Sequence, residues 1–187
     1  MPVASIASDD KNQPSSNLLD GVETFSIECF GMPQQTTLDM DACMGVEIDH
    51  VNWVRDKYQA KALNRIQQDN KDDPLLQQKL TAAFNDESKA WSALIDKAST
   101  SVMIDSDGGT ISGTASSIRQ IGLIELQIHD IWENWLRFGD STPPLLPEPQ
   151  IQGCTIKSSR FLKSDAPFGR FFVPVTLASG TFKPTAR

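Results

Sequence analysis

Apolar positions along the chain fall into three long stripes at helical spacing, separated by polar breaks. Met40, Met44, Ile48, Val51, Tyr58, Ala62 and Ile66 recur every three or four residues, with Arg55 as the one polar intruder. That period lines one face of an α-helix. The start is marked near Thr36, whose hydroxyl can cap the first turn. Asp39, three residues on, completes a capping-box pattern and meets the positive end of the helix dipole. The pattern runs to about Asn70, roughly 35 residues, which is long for a globular helix. "KDDP" ends it: Asp72 or Asp73 is a fresh N-cap, and Pro74 takes the first helical position. The second stripe carries Leu76, Leu80, Phe84, Trp91, Leu94, Ile95 and Ala98. It stops before "DSDGGT", residues 105–110, whose paired glycines demand a loop. The third stripe runs from about Ser112 to Phe138 through Ile121, Ile124, Ile128, Ile131 and Trp135, with Gly139 as a natural C′ residue. Three such stripes can bury one another. The pattern therefore predicts an all-α fold, an antiparallel bundle of three long helices.

The flanks read differently. Residues 1–24 are rich in Ser, Asp, Asn and Pro, mostly as a flexible tail. "FSIECF", 25–30, alternates enough for a short extended segment, so the helical domain is placed at 25–140. "STPPLLPEP" marks a Pro-rich linker over 141–150. Residues 151–187 form a non-helical appendage, either β or disordered, because "RFFVPVTLASGTF" has β character but no obvious partner strand.

Charge narrows the function classes. Residues 1–140 carry a net −11 and residues 141–187 a net +4. An acidic body argues against nucleic-acid binding, which needs basic patches, and suits a basic protein partner through electrostatic steering. No run of 18 apolar residues is present, so no membrane-spanning helix is expected. No secretory leader is visible in "MPVASIASDDKNQPSSN", as is also expected of a chain whose signal has been removed.

Candidate chemistry is sparse. Three cysteines, Cys29, Cys43 and Cys154, allow three single pairs, and no C-x-x-C is present. Glu47-x-x-His50 and Glu125-x-x-x-His129 invite comparison with carboxylate-bridged metal bundles. Those need two Glu-x-x-His pairs and two further inward glutamates, and only one pair here has that spacing. A metal-binding bundle enzyme is thus a distant alternative. "GGTISG" lacks the preceding strand and following Lys-Ser/Thr of a phosphate loop. It reads as a turn, or as an exposed loop that touches a target through Asp105, Asp107, Gly108, Gly109 and Thr110. No G-x-S-x-G occurs. No catalytic residue and no cofactor is expected. Trp91 and Trp135 lie on the stripes and are expected in the core, whereas Trp53 and Trp132 lie at stripe edges.

Several short motifs then line up in order. Cys29 is followed by Thr36, Asp39, Met40, Asp41 and Cys43, then by Ala90-Trp91 with Ile95-Asp96, then by Gly108-Gly109-Thr110. From Cys29 to about Trp135 the chain resembles the lysozyme-inhibitor LprI family in its N-terminal-domain form. Two cysteines usual in that family are missing here, near Ser99–Thr100 and near Ser117–Arg119, and Ile95 replaces an arginine. Two partners lost together imply that Cys29 and Cys43 are the other pair, a disulfide that staples the 25–30 segment to the first helix. A loop of that size is worth about 3 kcal/mol. The resemblance implies an oxidising compartment, periplasmic or extracellular. It also implies a non-enzymatic protein that blocks a lysozyme-like hydrolase. A periplasmic immunity protein against a secreted toxin, a hydrolase or lipase, is the alternative within the same class.

Overall fold

The computed structural model describes residues 13–153. The order along it is β1 (Ser15–Leu19), β2 (Val22–Ser26), α1 (Thr37–Asp69), α2 (Pro74–Asp105), α3 (Ser112–Ile131), a π-helical turn (Trp132–Leu136) and β3 (Glu148–Gln152). Cys154 and most of the expected appendage lie outside the described residues, as does the start of the expected tail.

The three helices form as their stripes predict. Thr36 caps α1 and Asp39 closes the capping box from the other side. Asp73 caps α2 through Leu76 N, with Pro74 at the first position. The third helix keeps its stripe to Leu136 but changes to π geometry at Trp132. It ends with Arg137 in extended conformation, before Gly139. Phe84 meets Trp135 edge to face at 5.1 Å, and Ser116 Oγ donates to the Ser99 carbonyl at 3.0 Å. These contacts at opposite ends run α2 antiparallel to α3. Thr114 bonds Asp41 near one end of α1, and Arg65 bonds the Trp135 carbonyl near the other, so α1 and α3 run parallel. The bundle is up-down-up with α3 packed against both neighbours, while α1 and α2 touch little.

A purely helical fold is not what the chain adopts. Residues 15–19 and 22–26 make a hairpin around Asp20-Gly21, both with positive φ (50° and 82°), the two-residue turn that right-twisted strands favour. The expected tail of 1–24 is therefore strand from Ser15 onward. The expected linker of 141–150 likewise leads into β3, which pairs parallel with β2, Val22 opposite Glu148 and Ser26 opposite Gln152. The stretch before β3 is pinned to the bundle. Leu145 N bonds the Leu136 carbonyl, Trp132 Nε1 donates to Leu146 O at 3.1 Å, and Tyr58 Oη donates to Pro147 O at 2.8 Å. Phe25 packs edge-on against Tyr58, and Lys57 pairs with Glu23 at 2.8 Å. The sheet thus covers the flank of α1 and completes the core that holds Phe25, Ile27, Val51, Val54, Tyr58, Ile121, Ile124, Ile128 and Leu136.

Helix α2 is the least embedded. Only Phe84 and Ile95 of its 32 residues are buried. Trp91, expected in the core, is half-buried, while Trp132, expected at a stripe edge, is buried. The reason is geometric: α2 has a neighbour on one side only, whereas Trp132 lies where α3 meets the segment leading to β3. No described helix is long and apolar enough to cross a membrane.

Candidate functional site

The first turns of α1, the last turn of α2 and the start of α3 meet at one end of the bundle. Each is fixed there by local chemistry. Thr36 Oγ1 accepts from Asp39 N at 3.1 Å, and Asp39 Oδ2 accepts from Thr36 N at 3.0 Å. Those bonds, the Thr36 side chain first, hold the Asp39 carboxyl below the ordinary aspartate range. Cys29 and Cys43 are disulfide-bonded with Cα atoms 5.3 Å apart, and both are buried. The bond ties the strand-like segment after β2 to the second turn of α1, and His50 Nδ1 meets the Ile27 carbonyl at 3.0 Å beside it. A disulfide fits an oxidising compartment.

The turn between α2 and α3 is equally specified. Asp107 and Gly108 both take positive φ, 48° and 66°. Aspartate tolerates that region better than most residues and glycine does so freely. Gly109 N bonds Ser106 O at 2.9 Å, and Ser112 N bonds Gly109 O at 2.9 Å. The first turn of α3 is then joined to α1: Thr114 Oγ1 donates to Asp41 Oδ1 at 2.8 Å. A Cβ at Gly113 would stand 3.2 Å from the same carboxylate, so the glycine permits the approach.

What this end presents is unusual in two respects. It is apolar where solvent is expected: Phe30 is 75% exposed, Leu38 78%, Ile104 73%, Met103 49% and Ile111 45%. The described segments that build it also carry no cation. No lysine or arginine occurs between Asn12 and Val54 or between Ala98 and Ile118, whereas Asp39, Asp41, Asp105 and Asp107 all do. A groove of about 490 Å³ lies among α1, α2 and α3. It is lined by Asn52, Arg55, Asp96, Ser99, Met103 and Gln120, among others.

Asp107, Gly108, Gly109 and Thr110 lie exposed in the turn, and Asp105 is exposed as the last residue of α2. Thr36, Asp39 and Met40 are structural residues of the same end. Trp91 and Asp96 lie farther along α2, Asp96 at the groove. Phe30, Leu38, Ile104 and Ile111 were not singled out by sequence. Their signal was that they stand off the buried stripes. The metal-bundle candidates do not converge: His50 serves Ile27, and His129 stacks on Trp132 at 5.6 Å. Among the described residues the one group of potential metal-ligating side chains is Cys29, Cys43 and Glu47.

No family model, no curated protein and no solved structure matches the chain.

Proposed function

We propose that this is an extracytoplasmic binding protein that blocks a cationic, lysozyme-like peptidoglycan hydrolase through the acidic end of its helical bundle. The observation that carries the proposal is the exposed set Phe30, Leu38, Ile104 and Ile111 within a cation-free stretch bearing Asp39, Asp41, Asp105 and Asp107. The resemblance to the LprI family over residues 29–135 supports the same target class. The carboxylates steer a basic enzyme to this end, and the apolar side chains supply the desolvated contact that slows release. Blocking then follows from bulk. A glycosidase cleft must admit a polysaccharide strand to its two carboxylates, and a helical end seated on the cleft mouth excludes it. The role is stoichiometric and needs no cofactor. An immunity protein would use the same end against a secreted toxin, and the two are separated by which enzyme is arrested.

The test is lysis of a peptidoglycan suspension by a purified basic lysozyme with the chain added. Arrest at near-equimolar chain, lost in a Leu38→Ser, Ile104→Ser variant that keeps its helical circular dichroism, is the expected result. Undiminished lysis at large excess of the wild-type chain would remove lysozyme as the target.

A further inference from the structure

We infer that Cys29, Cys43 and Glu47 form a binding site for a zinc-type divalent cation when the Cys29–Cys43 bond is reduced. Cys43 and Glu47 are four residues apart on α1, so their side chains share one face. Cys29 is brought to that face by the segment following β2. One ligand atom from each of the three residues lies within 4.8 Å of the others, and Glu47 Oε1 stands 3.9 Å from Cys43 Sγ. All three are buried, at 6%, 3% and 5% exposure. The Gln34 amide lies 3.5 Å from both sulfurs, placed to donate to them as thiolates.

The choice of residue at position 47 is the point. Glu47 supplies a carboxylate oxygen, the one oxygen donor of this three-residue group. Beside two thiolates and a divalent cation the same carboxylate is a ligand. Two sulfurs and one oxygen, with the fourth position open to water, is a donor set that zinc accepts. Zinc–sulfur bonds of about 2.3 Å put the two sulfurs about 3.8 Å apart, a separation that side-chain rotation supplies once the bond is open.

The redox step balances simply. The disulfide takes two electrons and two protons from a dithiol donor, which becomes a disulfide itself. The incoming cation then displaces the two thiol protons. Reoxidation by a disulfide, which takes the two electrons and becomes a dithiol, joins the sulfurs and releases the cation, so metal and disulfide are alternative fastenings of the same segment to α1.

The experiment uses the full chain carrying Cys154→Ser, which leaves one pair of cysteines. The protein is reduced anaerobically with a phosphine, freed of reductant and titrated with Co²⁺. The expected result is one Co²⁺ per chain, with a sulfur-to-cobalt charge-transfer band and tetrahedral d–d bands, both abolished by Zn²⁺. The oxidised protein should show neither. Glu47→Gln in the same background should keep the helical circular dichroism and weaken Co²⁺ binding by about tenfold or more. Three results would each overturn the site: a folded reduced chain without the charge-transfer band, a Glu47→Gln variant of unchanged affinity, or a reduced chain that loses its helices and binds no better than an unfolded pair of cysteines.

Discussion

Thr114 Oγ1, almost wholly buried, donates a 2.8 Å hydrogen bond to the Asp41 carboxylate across 73 residues of sequence. The bond joins the first turn of α3 to the first turns of α1, and so holds the α2–α3 turn beside the disulfide-stapled segment. It adds a polar tie to the α1–α3 packing at the end that carries the acidic and apolar side chains.

Thr114→Val removes that bond while keeping the side-chain volume. Because Asp41 is exposed and can turn to water, the expected loss is about 1 kcal/mol, read as a lower urea midpoint at unchanged slope. A larger effect is expected on target binding than on stability. Asn at position 41 should reproduce part of it.

The two tryptophans that exchanged roles make a second test. Trp132 is buried and donates to Leu146 O, so Trp132→Ala should cost about 3–5 kcal/mol. Trp91 is half-buried on a helix with one neighbour, and Trp91→Ala should cost no more than about 1–2 kcal/mol. Denaturant melts of both variants rank them. The reverse order would mean that α2 is embedded more deeply than its burial indicates.

Acidity gives a third. Burial pushes the Glu125 carboxyl above its ordinary value of 4.5, and burial followed by the Asp130 charge does the same for Glu87. A raised folded-state pKa means the folded chain holds the proton more tightly than the unfolded one. Stability from these two groups is therefore present below about pH 4.5 and declines as pH rises through their folded-state values. Glu125→Gln should raise the thermal midpoint at pH 7.5, with the gain shrinking toward pH 4. Asp39 works the other way, since its hydrogen bonds lower its pKa. The capping box should contribute at neutral pH and fade as pH falls through and below the ordinary value of 3.8. Thermal melts from pH 3 to 8 separate the two trends.

The helices were legible because each carries its own evidence: Thr36 with Asp39, Asp73 with Pro74, and apolar stripes long enough to fix the period. The sheet was not. β2 and β3 pair in parallel across more than a hundred residues, and β3 contains Pro149 in a proline-rich stretch that reads as linker. β1 is exposed along its whole length, so no alternation marks it. Asp20-Gly21 was the one local sign of the hairpin. In the site, the 105–110 turn could be read from its glycines. That Leu38 and Ile104 share an end with it could not, because that depends on the fold bringing Asp41 to Thr114.

The docking assignment is tested most directly by the ionic-strength dependence of association. The measurement is the rate of binding to an immobilised basic lysozyme from low to high salt, for the wild-type chain and for Asp105→Asn, Asp107→Asn. Asparagine accepts the positive φ of residue 107, so the turn is retained. The wild-type association rate should fall steeply with salt while dissociation changes little, and the double variant should associate more slowly with a shallower slope. An association rate and salt slope unchanged by the two substitutions would contradict the assignment of this end as the contact surface.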